Sequence, residues 1–178
     1  MKIAIMGTHG VGKTTLAYAL AAKYKIEGKN VKLINETART CPFDLNENFS
    51  PEAAQWIYHT HINKELSAMS SSRMVVCDRS ALDSFMYAKA MGMFKVDQIN
   101  LLYAFYGAQE WMKSYSRIIY LKKGARPPED DGTRSTSLEF QKKIENCFDE
   151  WVENHKDNLP IEITTSDKIF SQLEAIEI

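Results

Sequence analysis

Residues 7–14 read Gly7-Thr8-His9-Gly10-Val11-Gly12-Lys13-Thr14 and follow directly on the apolar run Ile3-Ala4-Ile5-Met6. The octet satisfies G-x-x-x-x-G-K-[ST], in which glycines let the backbone curl until successive N–H groups point at a polyphosphate. The preceding run is short and apolar, as a strand buried in a parallel sheet should be. The segment after it, Thr15-Leu16-Ala17-Tyr18-Ala19-Leu20-Ala21-Ala22, is rich in helix formers. Strand, glycine-rich turn and helix in that order predict an anion cradle at a helix N-terminus. Its backbone runs through Thr8, His9, Gly10, Val11, Gly12, Lys13, Thr14 and Thr15. Lys13 is placed to reach β- and γ-phosphates and the Thr14 hydroxyl to ligate Mg²⁺.

The rest of the chain continues the alternation. Val31-Lys32-Leu33-Ile34, Met74-Val75-Val76-Cys77, Arg117-Ile118-Ile119-Tyr120-Leu121 and Pro160-Ile161-Glu162-Ile163-Thr164 read as strands. Ser50-Pro51-Glu52 opens a helix with a capping serine, proline at the first helical position and an early acid. That helix runs to about Met69, with Ala54, Ile57, Tyr58, Ile62 and Leu66 recurring at helical spacing. Further helices are expected over Ala81–Met91, Val96 to about Tyr115, Ser135 to about His155 and Asp167–Ile176. In the fourth of these five, Leu138, Ile144, Phe148 and Trp151 are candidate core. Strands alternating with helices predict an α/β, three-layer fold: a five-stranded parallel sheet with helices on both faces. In such sheets ligands bind at the carboxyl ends of the strands.

Bulk properties set limits. A chain of 178 residues, 44% of them hydrophobic, suits one domain with a real core, expected here over 1–178. A net charge of -1 supplies no global basic field for nucleic acid or anionic membrane. No segment is long and apolar enough for a signal peptide or a membrane span. Cys41, Cys77 and Cys147 are odd in number and widely spaced, which fits free thiols in a reducing, cytoplasmic setting. His9, His59, His61 and His155 lack metal-ligand spacing. The Val96–Tyr115 segment is apolar all round, which implies deep burial or a homodimer face.

Three further clusters carry chemistry, each just after a strand. Asp78-Arg79-Ser80 offers a carboxylate that can hold a Mg²⁺ water or take a proton from an attacking hydroxyl, with an arginine that can fork onto phosphate. Glu36-Thr37-Ala38-Arg39 supplies an acid and a base on one turn, either as a solvated loop or as contacts to a phosphoryl acceptor. Arg126-Pro127-Pro128-Glu129-Asp130-Asp131-Gly132-Thr133-Arg134 cannot be helical throughout, so residues 124–136 read as a lid loop bearing arginines. Tyr58 and Tyr87 are the aromatic candidates for stacking on a base.

Together these residues resemble the P-loop nucleoside and nucleotide kinases over nearly the whole chain. Asp78-Arg79-Ser80 is similar to the Asp-Arg-aromatic or Asp/Glu-Arg-Ser element of thymidylate and deoxynucleoside kinases, where the acid lies near Mg²⁺ or the acceptor and the arginine contacts phosphate. Glu36–Arg39 and Asp131-Gly132-Thr133-Arg134 look more like the ribosylnicotinamide kinase group, whose D-G-x-R lid implies Arg134 and Arg126 as lid arginines. That group usually has Asp-Thr where this chain has Asp78-Arg79, and thymidylate kinases start their lid differently. The resemblance implies an enzyme that uses ATP and Mg²⁺ to phosphorylate a nucleoside monophosphate or nucleoside. Lys13, Asp78, Arg79, Arg126 and Arg134 are its expected catalytic residues, and Thr14 and Asp78 its metal contacts. Glu36, Arg39, Tyr58, Arg79 and Tyr87 are expected at the acceptor, with Arg39 and Arg79 together favouring one that already carries a phosphate. Two other readings stand beside it: a polynucleotide 5′-hydroxyl kinase, and a nucleotide-driven ATPase or switch module.

Overall fold

The computed structural model describes residues 1–125 and 137–174. In chain order its elements are β1 (Lys2–Met6), α1 (Lys13–Ile26), β2 (Val31–Ile34), α2 (Pro51–Ser71), β3 (Met74–Asp78), α3 (Asp83–Ala90), α4 (Ile99–Met112), β4 (Arg117–Lys122), α5 (Leu138–His155), β5 (Ile161–Thr165) and α6 (Ser166–Glu174). The strands form one five-stranded sheet in the order β2-β3-β1-β4-β5, and every pairing is parallel.

β1 lies at the centre of this order and is buried along its whole length. Its two-residue period splits the core in two. Ile3 and Ile5 pack with Leu16 and Ala17 of α1 and with Val76, Ile119 and Leu121. Ala4 and Met6 face the other way, into a larger core that takes Ile57 of α2, Phe85 of α3, Leu101 of α4 and Phe148 of α5. Helices therefore cover both faces, and the expected three-layer fold is the observed one. From β1 the chain goes out to β2, returns to β3 and then crosses to β4 on the other side. The order reverses beside β1, so the crevice at its carboxyl end is the natural ligand site.

Several local expectations shift. Ser50 caps α2 by accepting a 3.2 Å bond from the Ala53 N–H. α3 begins at Asp83 and not Ala81, because Asp83 turns back to accept from the Ser80 N–H at 2.9 Å and its hydroxyl at 2.6 Å. α5 begins at Leu138, capped by Ser137, and Leu138 is exposed where a core position was expected. It stands in the first turn, ahead of the buried stripe Phe140, Ile144, Phe148 and Trp151. Leu66 of α2 is also exposed. α4 spans less than Val96–Tyr115, and deep burial on all sides does not occur. Leu101, Ala104, Ala108 and Met112 are buried while Tyr103 and Tyr106 face solvent. Among the described residues no helix is long and apolar enough to cross a membrane, and the three cysteines are free thiols.

Candidate active site

The phosphate loop is built where β1 ends. Gly7 has φ 143°, and a Cβ there would collide with the carbonyl oxygen of Leu121 on the neighbouring strand. Gly12, at φ 86°, caps α1 in the left-handed region that side chains avoid. The Leu16 N–H makes a 3.0 Å bond to the Gly12 carbonyl, so the helix axis starts at the loop. Gln141 of α5 braces the other side, donating to the His9 carbonyl at 2.7 Å while its own carbonyl accepts from the Thr8 hydroxyl at 3.3 Å. Lys13 is buried and its ammonium donates to the Thr8 carbonyl. Burial first, and the Arg79 guanidinium second, bring its pKa down to about 7. Val11 is core and Thr15 is exposed on α1.

β3 pairs with β1 so that Ile5 stands opposite Asp78. That register carries Asp78 to the foot of α1, where its Oδ2 accepts from the Thr14 hydroxyl at 2.7 Å. Its Oδ1 is buried and has no hydrogen-bond partner among the described residues. An orphaned carboxylate oxygen beside a threonine hydroxyl, at the mouth of an anion cradle, is the donor set that Mg²⁺ takes from protein when phosphates complete its octahedron. The residues therefore fit the metal: Thr14 would bind directly and Asp78 directly or through water.

Arg79 follows at φ 96°, a backbone region unusual for a side-chain-bearing residue. Its N–H still reaches the Ile5 carbonyl at 3.1 Å. Its guanidinium is largely buried among polar partners. There Nε donates to Glu36 Oε1 at 2.6 Å, Nη2 pairs with the same carboxylate, and Nη1 lies 3.5 Å from Asp83 Oδ1 and from the Tyr87 hydroxyl. Burial opposes its charge, but Glu36 together with Tyr87, Asp83 and Asp78 outweighs burial and holds it firmly protonated. Burial lifts the pKa values of Asp83 and Tyr87.

Beside this pair opens a cavity of about 140 Å³, walled by His9, Glu36, Arg39, Arg79, Asp83 and Tyr87 together with apolar side chains such as Phe49 and Ile57. His9 Nδ1 lies 3.2 Å from the Tyr87 hydroxyl, so the phosphate loop itself forms one wall. Thus the structure brings together His9, Glu36, Arg39, Arg79 and Tyr87. Tyr58 is elsewhere: it packs edge-on against Phe85, with its hydroxyl against Gly107 of α4. Arg126 and Arg134 lie outside the described residues. Asp83 and Gln141 escaped the sequence reading. Asp83 left one usable signal, its i,i+4 spacing from Arg79 on the same short segment, whereas Gln141 left none.

The model of a family described as an AAA domain matches residues 2–166. The chain belongs to that family. It is 30% identical over 132 residues to a probable thymidylate kinase of Thermoplasma acidophilum, a match covering 68% of this chain and 61% of that protein. The chain thus spans about three-fifths of the matched relative's length. A deoxyadenosine kinase of M. mycoides, solved with products dCMP and a flexible dCDP, superposes with TM-score 0.70 at 17% identity over 99% of this chain and 100% of that one. The same enzyme with bound dCTP gives 0.65 at 16%, again over 99% of this chain and 100% of that one. These structures share the fold. The family match and the thymidylate kinase relative bear out, at the level of the superfamily, the resemblance to P-loop nucleoside and nucleotide kinases.

Proposed function

We propose that the chain is a kinase that moves the γ-phosphoryl group of ATP onto a nucleoside or a nucleoside monophosphate. The observation that carries this reading is the shared wall: His9 belongs to the phosphate loop and also lines the cavity that holds Glu36 and Arg79. Donor phosphates in the loop and an acceptor in the cavity would therefore meet at that wall. Phosphoryl transfer requires little covalent chemistry from protein; positioning and charge neutralisation do most of it. In this reading the backbone from Thr8 to Thr15 cradles the donor phosphates and Lys13 bridges β and γ. Mg²⁺, when bound through Thr14 and Asp78, neutralises charge on the phosphate oxygens. Glu36 faces the acceptor hydroxyl, Arg79 fixes that carboxylate, and Tyr87 forms a ring wall beside the base. Arg126 and Arg134 belong to the proposal as lid arginines on sequence grounds. The thymidylate kinase relative supports a nucleotide acceptor, and the deoxyadenosine kinase neighbours support a nucleoside.

The test is coupled ADP release with ATP·Mg²⁺ against nucleosides, their 5′-monophosphates, ribosylnicotinamide and a 5′-hydroxyl oligonucleotide. Turnover on a nucleoside or monophosphate, abolished by Lys13→Ala with the fold intact, supports the reading. Turnover on the oligonucleotide alone favours a polynucleotide kinase. Phosphate release that no acceptor accelerates favours an ATPase or switch.

A further inference from the structure

Away from the cavity, a second polar cluster lies wholly in the interior. Glu65 of α2 has no solvent exposure. Its carboxylate accepts from Lys2 Nζ at 2.5 Å, from Trp111 Nε1 at 2.7 Å and from the Tyr115 hydroxyl, and it stands 3.0 Å from His61 Nε2. The Lys2 ammonium also sits 4.5 Å and 4.4 Å from the ring centroids of Trp111 and Tyr115. Ion pairs this deep seldom add net stability over apolar packing of the same shape, because desolvation offsets the attraction. His61, Glu65 and Cys77 have the chemistry of metal ligands and their ligand atoms lie within 4.8 Å of one another. That carboxylate is already engaged by Lys2, however, and burial pushes the Cys77 thiol well above its ordinary range.

What distinguishes the cluster is where its arms lead. One arm runs from Glu65 to His61, whose Nδ1 is 3.3 Å from the Thr37 hydroxyl. Lys64 Nζ donates to the same oxygen at 3.3 Å, and His61 Nε2 stands at ion-pair distance from Glu65 without a hydrogen-bond geometry, so this arm couples by charge and packing at Glu65 and by a hydrogen bond at Thr37. Thr37 is buried and directly follows Glu36. The other arm runs from Glu65 to the Tyr115 hydroxyl, which accepts from the Ala81 N–H at 3.1 Å. Ala81 stands two residues after Arg79. The two arms therefore end beside the two partners of the ion pair that walls the cavity.

We propose that Glu65 is a positioning residue, which through His61–Thr37 and Tyr115–Ala81 sets the spacing of the Glu36 and Arg79 loops and so the grip on the acceptor. This rests on the proposed kinase reading. None of Glu65, His61, Thr37 or Tyr115 lines the cavity. A defect passed through them should appear in acceptor use and not in ATP use.

The deciding variant is Thr37→Val, which keeps the side-chain shape and removes the hydroxyl; Tyr115→Phe cuts the other arm. Loss of one buried hydrogen bond is about a tenfold effect. The expected result is an acceptor KM raised about tenfold in each variant, with the ATP KM within about twofold of wild type and Thr37→Ser restoring normal values. Amide exchange should quicken at residues 35–40 and 79–82 in both variants and stay unchanged across residues 7–14. A lowered melting temperature with unchanged acceptor KM, or equal losses for ATP and acceptor, overturns the proposal. Wild-type protein inactive on every acceptor overturns the kinase reading instead. In that case faster exchange in both loops upholds the coupling, and unchanged exchange refutes it.

Discussion

In the proposed kinase, the Lys13 ammonium is the buried charge that a polyphosphate in the loop would meet. In the phosphate-free protein burial, with the Arg79 charge second, lowers its pKa from 10.5 to about 7, against partial compensation by Asp83, Glu36 and Asp78. That shift corresponds to on the order of 5 kcal/mol of unfavourable charging at the buried ammonium. Phosphate oxygens against Nζ reverse it, so the bound lysine is fully protonated. At pH 8 about nine-tenths of the free protein carries neutral Lys13, and binding should take up about 0.9 proton; at pH 6 the figure is about 0.1. The sign follows from linkage: above pH 7 the bound state holds more protons, so affinity falls as pH rises, by about tenfold between pH 8 and 9. The same shift makes the phosphate-free fold gain stability as pH rises from about 7 towards 10, where the unfolded chain holds the lysine proton and the folded chain has shed it. The assay is titration calorimetry of ATP·Mg²⁺ at pH 8 in buffers of different ionisation enthalpy, with Lys13→Met as the control without uptake. Normal one-to-one binding with uptake below about 0.2 proton would refute the argument, as would equal uptake in the Lys13→Met protein.

Three further outcomes are expected. Gly7→Ala forces a methyl onto the Leu121 carbonyl at φ 143° and should cost about 3 kcal/mol or more in urea unfolding; an unchanged midpoint contradicts the strand contact. Asp78→Asn should lower kcat by about a hundredfold or more and raise the Mg²⁺ requirement, while stability holds or rises because a buried charge with one unpartnered oxygen is gone; full activity at low Mg²⁺ contradicts the metal assignment. Burial alone would raise the pKa of Glu65, but His61 and Lys2 bring it to about 2, so it contributes stability at neutral pH that is lost as pH falls from about 4 towards 2. Urea unfolding between pH 6 and 2 should show an acid limb of about 3 kcal/mol that Glu65→Gln removes.

The order of elements and the cradle were legible because each is local. Ile3–Met6, the glycines and the helix formers after Lys13 all speak within one stretch of chain, and the two-residue and 3.6-residue periods needed no partner to be read. Asp78 was legible for a related reason, since the end of a strand beside β1 has only one place to go. Tyr58 failed because its spacing on α2 fixes a face but not what that face meets; α3 and α4 bury it against Phe85 and Gly107. Asp83 failed because the sequence reading took the helix back to Ala81. The turn that Asp83 makes to Ser80 instead points its second oxygen towards Arg79. Gln141 and Glu65 act across 132 and 63 positions of sequence, on His9 and Lys2, and no pattern along the chain encodes such a pairing.

The ion pair between Glu36 and Arg79 changes how the acceptor question stands. From sequence, Arg39 and Arg79 looked like two hands on one substrate phosphate. In the structure they differ in kind. Arg79 is 11% exposed, and its guanidinium nitrogens already face Glu36, Asp83 and Tyr87. Arg39 is 46% exposed, with Nε 3.2 Å from the other oxygen of Glu36. The cavity wall thus sets two carboxylates against two guanidiniums. A neutral sugar hydroxyl can approach Glu36 without breaking that balance, whereas a phosphate dianion adds charge where the buried cation is already committed. A phosphorylated acceptor would therefore have to be met by Arg39 at the rim, leaving Arg79 to hold Glu36. In the proposed kinase, Arg39 is therefore the arginine among the described cavity residues that would distinguish a monophosphate from a nucleoside, while Arg79 would hold Glu36 for either acceptor.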